Sequence, residues 1–292
     1  MTLHENRCMA EWRQTTFTTN RRKPMSEQWP ESYLKVFNAF VADPRSERYA
    51  AALFDHYLDT QMRTPEPEVW KIIDVCCGTG FIGRSLETHL KSLGDSVEMT
   101  FMDRSKKILE EIEVGPTDTV ICADVTSVPE VLSGSYDVVI CRYGFNNLPI
   151  EDWLRALGEV LRILKPGGLF ILQDHFVPGP TFSALVNEAE QFLAKMEGKQ
   201  AVPFIFSTEV FNAVLDAHPL VESRVKNGYG LFVNIWDRLL AKKEILPDFE
   251  AAKREILRFY KETCLGKYKV LIVDPEEYIH VYNVTYAIVK RI

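Results

Sequence analysis

Asp74, Cys76, Cys77, Gly78, Thr79 and Gly80 are the residues whose types and spacing point most directly to chemistry. They follow an apolar run, 69–73, that reads as a buried strand, and they precede Phe81-Ile82-Gly83-Arg84-Ser85-Leu86, which reads as a helix. A strand that breaks into a glycine turn and then a helix makes a nucleotide cradle. Glycine lets the backbone approach a ligand where a side chain would collide, and the open N–H groups of a helix start favour a carboxylate or phosphate. A phosphate-binding loop would need Lys after the last glycine, and none follows Gly80. Gly78, Gly80 and Gly83 fit the dinucleotide pattern, but the acidic residue heading the turn, Asp74, points elsewhere.

The segment Ile72-Ile73-Asp74-Val75-Cys76-Cys77-Gly78-Thr79-Gly80 resembles the first motif of the class I methyltransferases that use S-adenosylmethionine. That family usually has Gly or Ala where this chain has Cys76. Companion features follow in order. A second apolar strand, Val97 to Met102, ends in Asp103. The resemblance implies that Asp103 accepts two hydrogen bonds from a ribose, with Arg104 beside it. A third strand, Val120-Ile121-Cys122, leads to Asp124 and Val125, which resemble the family's adenine clamp: a carboxylate for the exocyclic amine and a backbone N–H for the ring. A fourth, Tyr136 to Ile140, runs into Cys141, Arg142 and Tyr143. A helix ending at Lys165 and a Pro166-Gly167-Gly168 turn then feed a fifth strand, Leu169 to Asp174. The resemblance covers about 70–176 and is closest to the ubiquinone/menaquinone C-methyltransferase-like branch of small-molecule enzymes. Asn147 matches that branch's Asn, while the Arg preceding it there is absent here.

The resemblance implies an α/β fold: a Rossmann-like, mostly parallel seven-stranded sheet with helices on both faces. Alternating strands and helices over 67–176 argue independently for a parallel sheet. Residues 1–28 are polar and aperiodic and are expected to be a disordered tail. A helical cap is expected over 29–66, from the spacing of Tyr33, Val36, Phe37 and Phe40 and of Tyr49, Leu53 and Tyr57. Over 177–292 the expectation is substrate-side helices, a sixth strand from Val221 to Asn227, a helical insertion, and a last strand from Tyr282 to Lys290.

Methyl transfer from a sulfonium is an in-line displacement whose leaving group departs neutral, so alignment and exclusion of water can supply much of the acceleration. A base is needed only if the acceptor is a hydroxyl or an acidic C–H. His175 is the candidate base, at the carboxyl edge of the sheet where this architecture binds ligands; an ordinary imidazole titrates near ~6.5. Asp174 is a lesser candidate for orienting it. Tyr143 is placed to orient an acceptor. Arg142 has three readings: an acidic substrate's partner, the partner of the cofactor's carboxylate, or half of a surface ion pair. Cys141 is expected to touch the cofactor through its backbone. The alternatives to methyl transfer are a cyclisation, rearrangement or decarboxylation on the same fold, or a non-catalytic partner subunit.

The chain has 292 residues, a net charge of −7 and 46% hydrophobic residues. The acidic balance, with no dominant Lys/Arg cluster, argues against a nucleic-acid partner. The six cysteines lack CxxC spacing, which argues against a zinc site or disulfide framework and fits a reducing compartment. No apolar run reaches the ~18 residues a membrane span needs. The expectation is a cytoplasmic enzyme, with mitochondrial import the alternative, using S-adenosylmethionine and no metal and forming a possible homodimer. Phe176, Phe182, Phe204, Phe206, Phe211, Tyr229, Phe232 and Trp236 raise the expectation of an apolar or aromatic small-molecule substrate.

Overall fold

The structure is a computed structural model and describes residues 67–177, 179–196, 204–233, 249–267 and 279–292. The expected tail (1–28) and the whole of the expected cap (29–66) lie outside the described residues, as does Trp236. In chain order the elements are β1 (Trp70–Val75), α1 (Phe81–Leu93), β2 (Val97–Asp103), α2 (Lys106–Leu109), β3 (Thr119–Cys122), β4 (Tyr136–Arg142), a 3-10 turn (Phe145–Asn147), α3 (Ile150–Ile163), β5 (Leu164–Phe176), α4 (Pro180–Met196), α5 (Thr208–Ala217), β6 (Val221–Val233), α6 (Phe249–Phe259), a π-helical continuation (Tyr260–Lys267) and β7 (Ile279–Lys290).

The strands form one seven-stranded sheet in the order β3-β2-β1-β4-β5-β7-β6. β1 to β5 pair in parallel, and β7 runs antiparallel to both β5 and β6. The order reverses between β1 and β4, so a crevice opens beyond their carboxyl ends, the place where open sheets of this kind bind ligands.

Period-two alternation along the strands builds a core on each face. Ile73, Val75, Val139, Cys141, Phe170 and Leu172 point to one side, where Trp153, Leu157 and Leu161 of α3 and Phe211 and Leu215 of α5 cover them. Ile72, Val138, Ile140, Leu169 and Ile171 point to the other, under Ile82, Leu86 and Leu90 of α1. Each of these large apolar side chains contributes roughly 1.5–3 kcal/mol by leaving water. Both faces are dry, which is why the middles of β1 and β4, Ile72-Ile73 and Val138-Val139-Ile140, are apolar on both sides.

Three expectations are corrected. First, α3 ends at Ile163 and β5 begins at Leu164, so Lys165-Pro166-Gly167-Gly168 lies inside the strand span, where the register against β4 shifts. Gly168 is pressed to the neighbouring backbone: a Cβ there would meet the Asp137 carbonyl oxygen at 3.0 Å. β5 also runs on to Phe176, so His175 is a strand residue paired with Asn283 of β7 rather than the first residue beyond the strand. Second, β6 and β7 are longer than expected, because each continues past β5 as a two-stranded ribbon through the Val233–Ile279 pair. Third, Phe176, Phe206 and Phe211 pack in the core with Trp153 and Tyr286. They do not line a substrate pocket.

The described part of the insertion docks on α4. Phe259 stacks on Phe192 with ring centroids 4.6 Å apart, and Lys267 reaches Glu188 at 2.6 Å.

Candidate active site

The turn after β1 is shaped by its backbone. Cys76, Gly78 and Gly80 all have positive φ, at 55°, 55° and 77°. Left-handed backbone costs a residue with a Cβ about 1–2 kcal/mol, so Cys76 carries a strain that a glycine there would not. The Cys77 N–H bonds to the Met102 carbonyl at 3.0 Å and so ties the turn to β2. Gly80 then precedes α1 with no side-chain cap, and Thr79 sits half-buried on the rim.

Asp74 is 2% exposed. Its Oδ2 accepts the Gly83 N–H at 3.0 Å and pins α1 to β1. Burial pushes its carboxyl up to about 8, against that hydrogen bond, with Asp103 adding to the rise and Arg142 opposing it. Gly83 is required for this contact: a Cβ there would meet Phe101 Cε1 at 2.6 Å and Asp74 Oδ2 at 3.0 Å.

Asp103 closes the cradle from β2. Its Oδ2 accepts the Gly78 N–H at 3.1 Å and its Oδ1 the Ser105 N–H at 2.9 Å. A carboxylate has about four acceptor sites, so half its capacity is left for a ligand. Arg104 beside it is exposed. Beyond β3, Asp124 is exposed and accepts hydrogen bonds from the N–H and hydroxyl of Thr126, whereas the Val125 side chain is buried in the core.

At the other side of the crevice β4 ends in Arg142, and Tyr143 follows it. Tyr143 also has positive φ, 52°. Among the described residues it and Cys76 are the two non-glycine residues with that backbone, and both stand at the carboxyl ends of adjacent strands. Strain of this kind is held where surrounding contacts over-determine it, commonly at functional sites. Here the Tyr143 carbonyl accepts the Asn147 Nδ2–H at 2.7 Å, and its N–H bonds to Gln173 O at 2.9 Å. The Tyr143 ring stacks on the His175 imidazole, 4.8 Å between centroids and 22° from parallel. Asp174, fully buried, accepts the Asn146 and His175 backbone N–H groups at 2.9 and 2.8 Å and so fixes the loop after β4 to β5. Its carboxyl is pushed up to about 7 by burial, against those hydrogen bonds. It holds the His175 backbone and not the imidazole.

Arg142 is 9% exposed, and its Nε, Nη1 and Nη2 have no hydrogen-bond partner among the described residues. Its guanidinium lies over the Tyr143 ring, 4.7 Å from the centroid. The surface ion-pair reading of Arg142 is therefore wrong. Cys141 is buried and its thiol is pushed up by burial; Cys77 is raised for the same reason. Neither is poised as a nucleophile.

Sequence reading missed Gly144. A Cβ there would meet Cys76 Cβ at 2.5 Å and Cys141 Sγ at 2.7 Å, so this glycine makes room for the two cysteines. Its only sequence signal is its place directly after Tyr143.

Among the described residues no group of three or more His, Cys, Asp or Glu could hold a metal ion, and no helix is long and apolar enough to cross a membrane. A separate cleft of about 540 Å³ runs beside α4, lined by Ser183, Asn187, Glu188, Gln191 and Phe204 among others; Ser183 and Asn187 spend their polar groups on the Ile205 backbone.

Strand order, turn and acidic strand ends together define a Rossmann-like α/β fold of the class I methyltransferase type. Residues 72–168 match the family described as a methyltransferase domain. Demethylmenaquinone methyltransferase of Staphylococcus aureus is 33% identical over 137 residues, 44% of this chain and 53% of that protein. The chain thus spans about half the length of the curated relatives it matches. Two solved structures share the fold. The YcgJ protein of Bacillus subtilis has TM-score 0.60 at 18% identity, covering 84% of this chain and 99% of that one. Haemonchus contortus phosphoethanolamine N-methyltransferase 2, in complex with phosphomonomethylethanolamine and S-adenosylhomocysteine, has TM-score 0.52 at 16% identity, covering 89% of this chain and 58% of that one. Residues 72–168 thus match a methyltransferase domain, on a fold shared with solved methyltransferases.

Proposed function

We propose that this protein transfers a methyl group from S-adenosylmethionine to a small-molecule acceptor by in-line displacement. The observation that carries the reading is Asp103, a half-buried carboxylate at the end of β2 that already braces the Gly78 turn and keeps acceptor capacity for a ligand. The residues fit the cofactor. Gly78 and Gly80 leave the turn open for close approach, and Asp103 can accept both ribose hydroxyls, with Arg104 and Thr79 on the rim. Asp124 and the Val125 N–H meet the adenine, and Asp74, Cys76 and the Cys141 backbone flank the aminoacyl end. Along the order β3, β2, β1, β4, β5 these are adenine, ribose, aminoacyl end and then acceptor.

When bound, the cofactor supplies an electrophilic methyl on a sulfonium. The protein's part is alignment and removal of water. Tyr143 and His175 form the platform on the acceptor side. His175 takes the acceptor's proton if the nucleophile is a hydroxyl or acidic C–H, and Tyr143 orients it. The small-molecule branch is favoured by the demethylmenaquinone methyltransferase relative. The test is release of S-adenosylhomocysteine from S-adenosylmethionine in the presence of small-molecule acceptor pools. Acceptor-dependent release with a matching mass gain in one compound supports the reading; cofactor binding with no methylated product from any pool contradicts it.

A further inference from the structure

Arg142 presents a problem of electrostatics. A guanidinium that is nine-tenths buried without a counter-charge forgoes most of its hydration, and such groups are normally paired. Its Nε, Nη1 and Nη2 have no hydrogen-bond partner among the described residues. Asp74 feels its charge, yet Asp74 Oδ2 is spent on Gly83 and the two make no ion pair. The guanidinium instead lies over the Tyr143 ring, and that ring stacks on His175. The planar fork of an arginine matches a carboxylate through two parallel hydrogen bonds.

We infer that the acceptor is an organic acid and that Arg142 receives its carboxylate. The inference rests on the methyl-transfer reading and adds the substrate's class. Position favours the acceptor over the cofactor. Most groups assigned to adenine, ribose and aminoacyl end stand at the ends of β3, β2 and β1; the Cys141 backbone shares β4 with Arg142, but the Arg142 guanidinium lies over the Tyr143 ring, which stacks on His175 of β5. Charge balance points the same way. A bound sulfonium would place a second cation near a guanidinium that makes no ion pair among the described residues, and an anionic acceptor between them relieves both. Arg142 is then the group that selects acids over neutral analogues, since a neutral analogue leaves the buried guanidinium unpaired.

The experiment uses the full chain and its Arg142→Met and Arg142→Lys variants. S-adenosylhomocysteine is titrated calorimetrically into each. Acetate, benzoate and 3-phenylpropionate are then compared with acetamide, benzamide and 3-phenylpropionamide on the loaded proteins by ligand-observed NMR. The expected result is that Arg142→Met binds S-adenosylhomocysteine as the parent does. At least one acid should bind the parent about tenfold better than its amide, and this margin should vanish in Arg142→Met. Arg142→Lys, which keeps the charge but not the fork, should retain part of it; it carries the test if Arg142→Met fails to fold. Acids binding no better than amides, or a margin that survives both substitutions, overturns the inference. A loss of about tenfold or more in S-adenosylhomocysteine affinity in Arg142→Met also overturns it, by assigning the guanidinium to the cofactor's own carboxylate. If the parent does not bind S-adenosylhomocysteine, the methyl-transfer reading fails first. The acid–amide comparison on the unloaded parent and variants then decides Arg142 by itself.

Discussion

The Asp103 carboxylate accepts the Gly78 backbone N–H at 3.1 Å, and this bond joins the end of β2 to the turn that follows β1. One residue thus holds the cradle and is the one proposed to meet the cofactor's ribose. Asp103→Ala should weaken S-adenosylhomocysteine binding by roughly 1–3 kcal/mol, and Asp103→Asn, which keeps one acceptor oxygen, by less. Calorimetric titration of the two variants checks it. Unchanged affinity in Asp103→Ala would remove Asp103 from the cofactor site.

Tyr143 and His175 act as a stacked pair in this account. His175→Ala should leave S-adenosylhomocysteine affinity unchanged and lower turnover, and Tyr143→Phe should lower it less. Single-turnover rates over a range of pH are the readout. A His175→Ala enzyme with full turnover at every pH would make the imidazole a packing group.

Much of this arrangement is legible in the residues. The apolar runs that become β1 and β2 stop at Asp74 and Asp103, and they are legible because strands covered on both faces are built from apolar residues. The extent of β5, β6 and β7 is not. Their pairing joins segments far apart in sequence, such as Val233 with Ile279, and local preference says nothing about such partners. The burial of Arg142 and the left-handed backbone at Cys76 and Tyr143 also escape a sequence reading, since both are set by neighbouring strands. Aromatic content misleads for the same reason: Phe176, Phe206 and Phe211 look equally suited to a pocket and to a core.

Asp174 predicts a pH dependence. Its folded-state carboxyl lies at about 7, above the ordinary 3.8, because burial disfavours its charge. Between those values the folded chain holds a proton that the unfolded chain has lost, so the contribution of this group to stability falls as pH rises through that window. Asp174→Asn removes the titration. Stability of the parent minus that of the variant should therefore decline from pH 4 to pH 7, whatever constant offset the lost N–H acceptor adds. Urea unfolding at several pH values reads the difference; parallel curves would mean that Asp174 stays ionised throughout.

Cys76 and Gly144 should behave as a coupled pair. Gly144→Ala places a methyl 2.5 Å from Cys76 Cβ and should cost roughly 1–3 kcal/mol. Adding Cys76→Gly removes that obstacle and suits the positive φ, so the double variant should recover part of the loss, a coupling on the order of 0.5–2 kcal/mol. Strictly additive unfolding energies would refute the contact.

The measurement that bears most directly on the central claim is calorimetric titration of the purified protein with S-adenosylmethionine and, separately, with S-adenosylhomocysteine. One-to-one binding of both, weakened by Asp103→Ala and preserved in His175→Ala, is the result predicted here. Absence of binding for both, in a protein shown to be folded, would contradict the assignment of the crevice as a cofactor site.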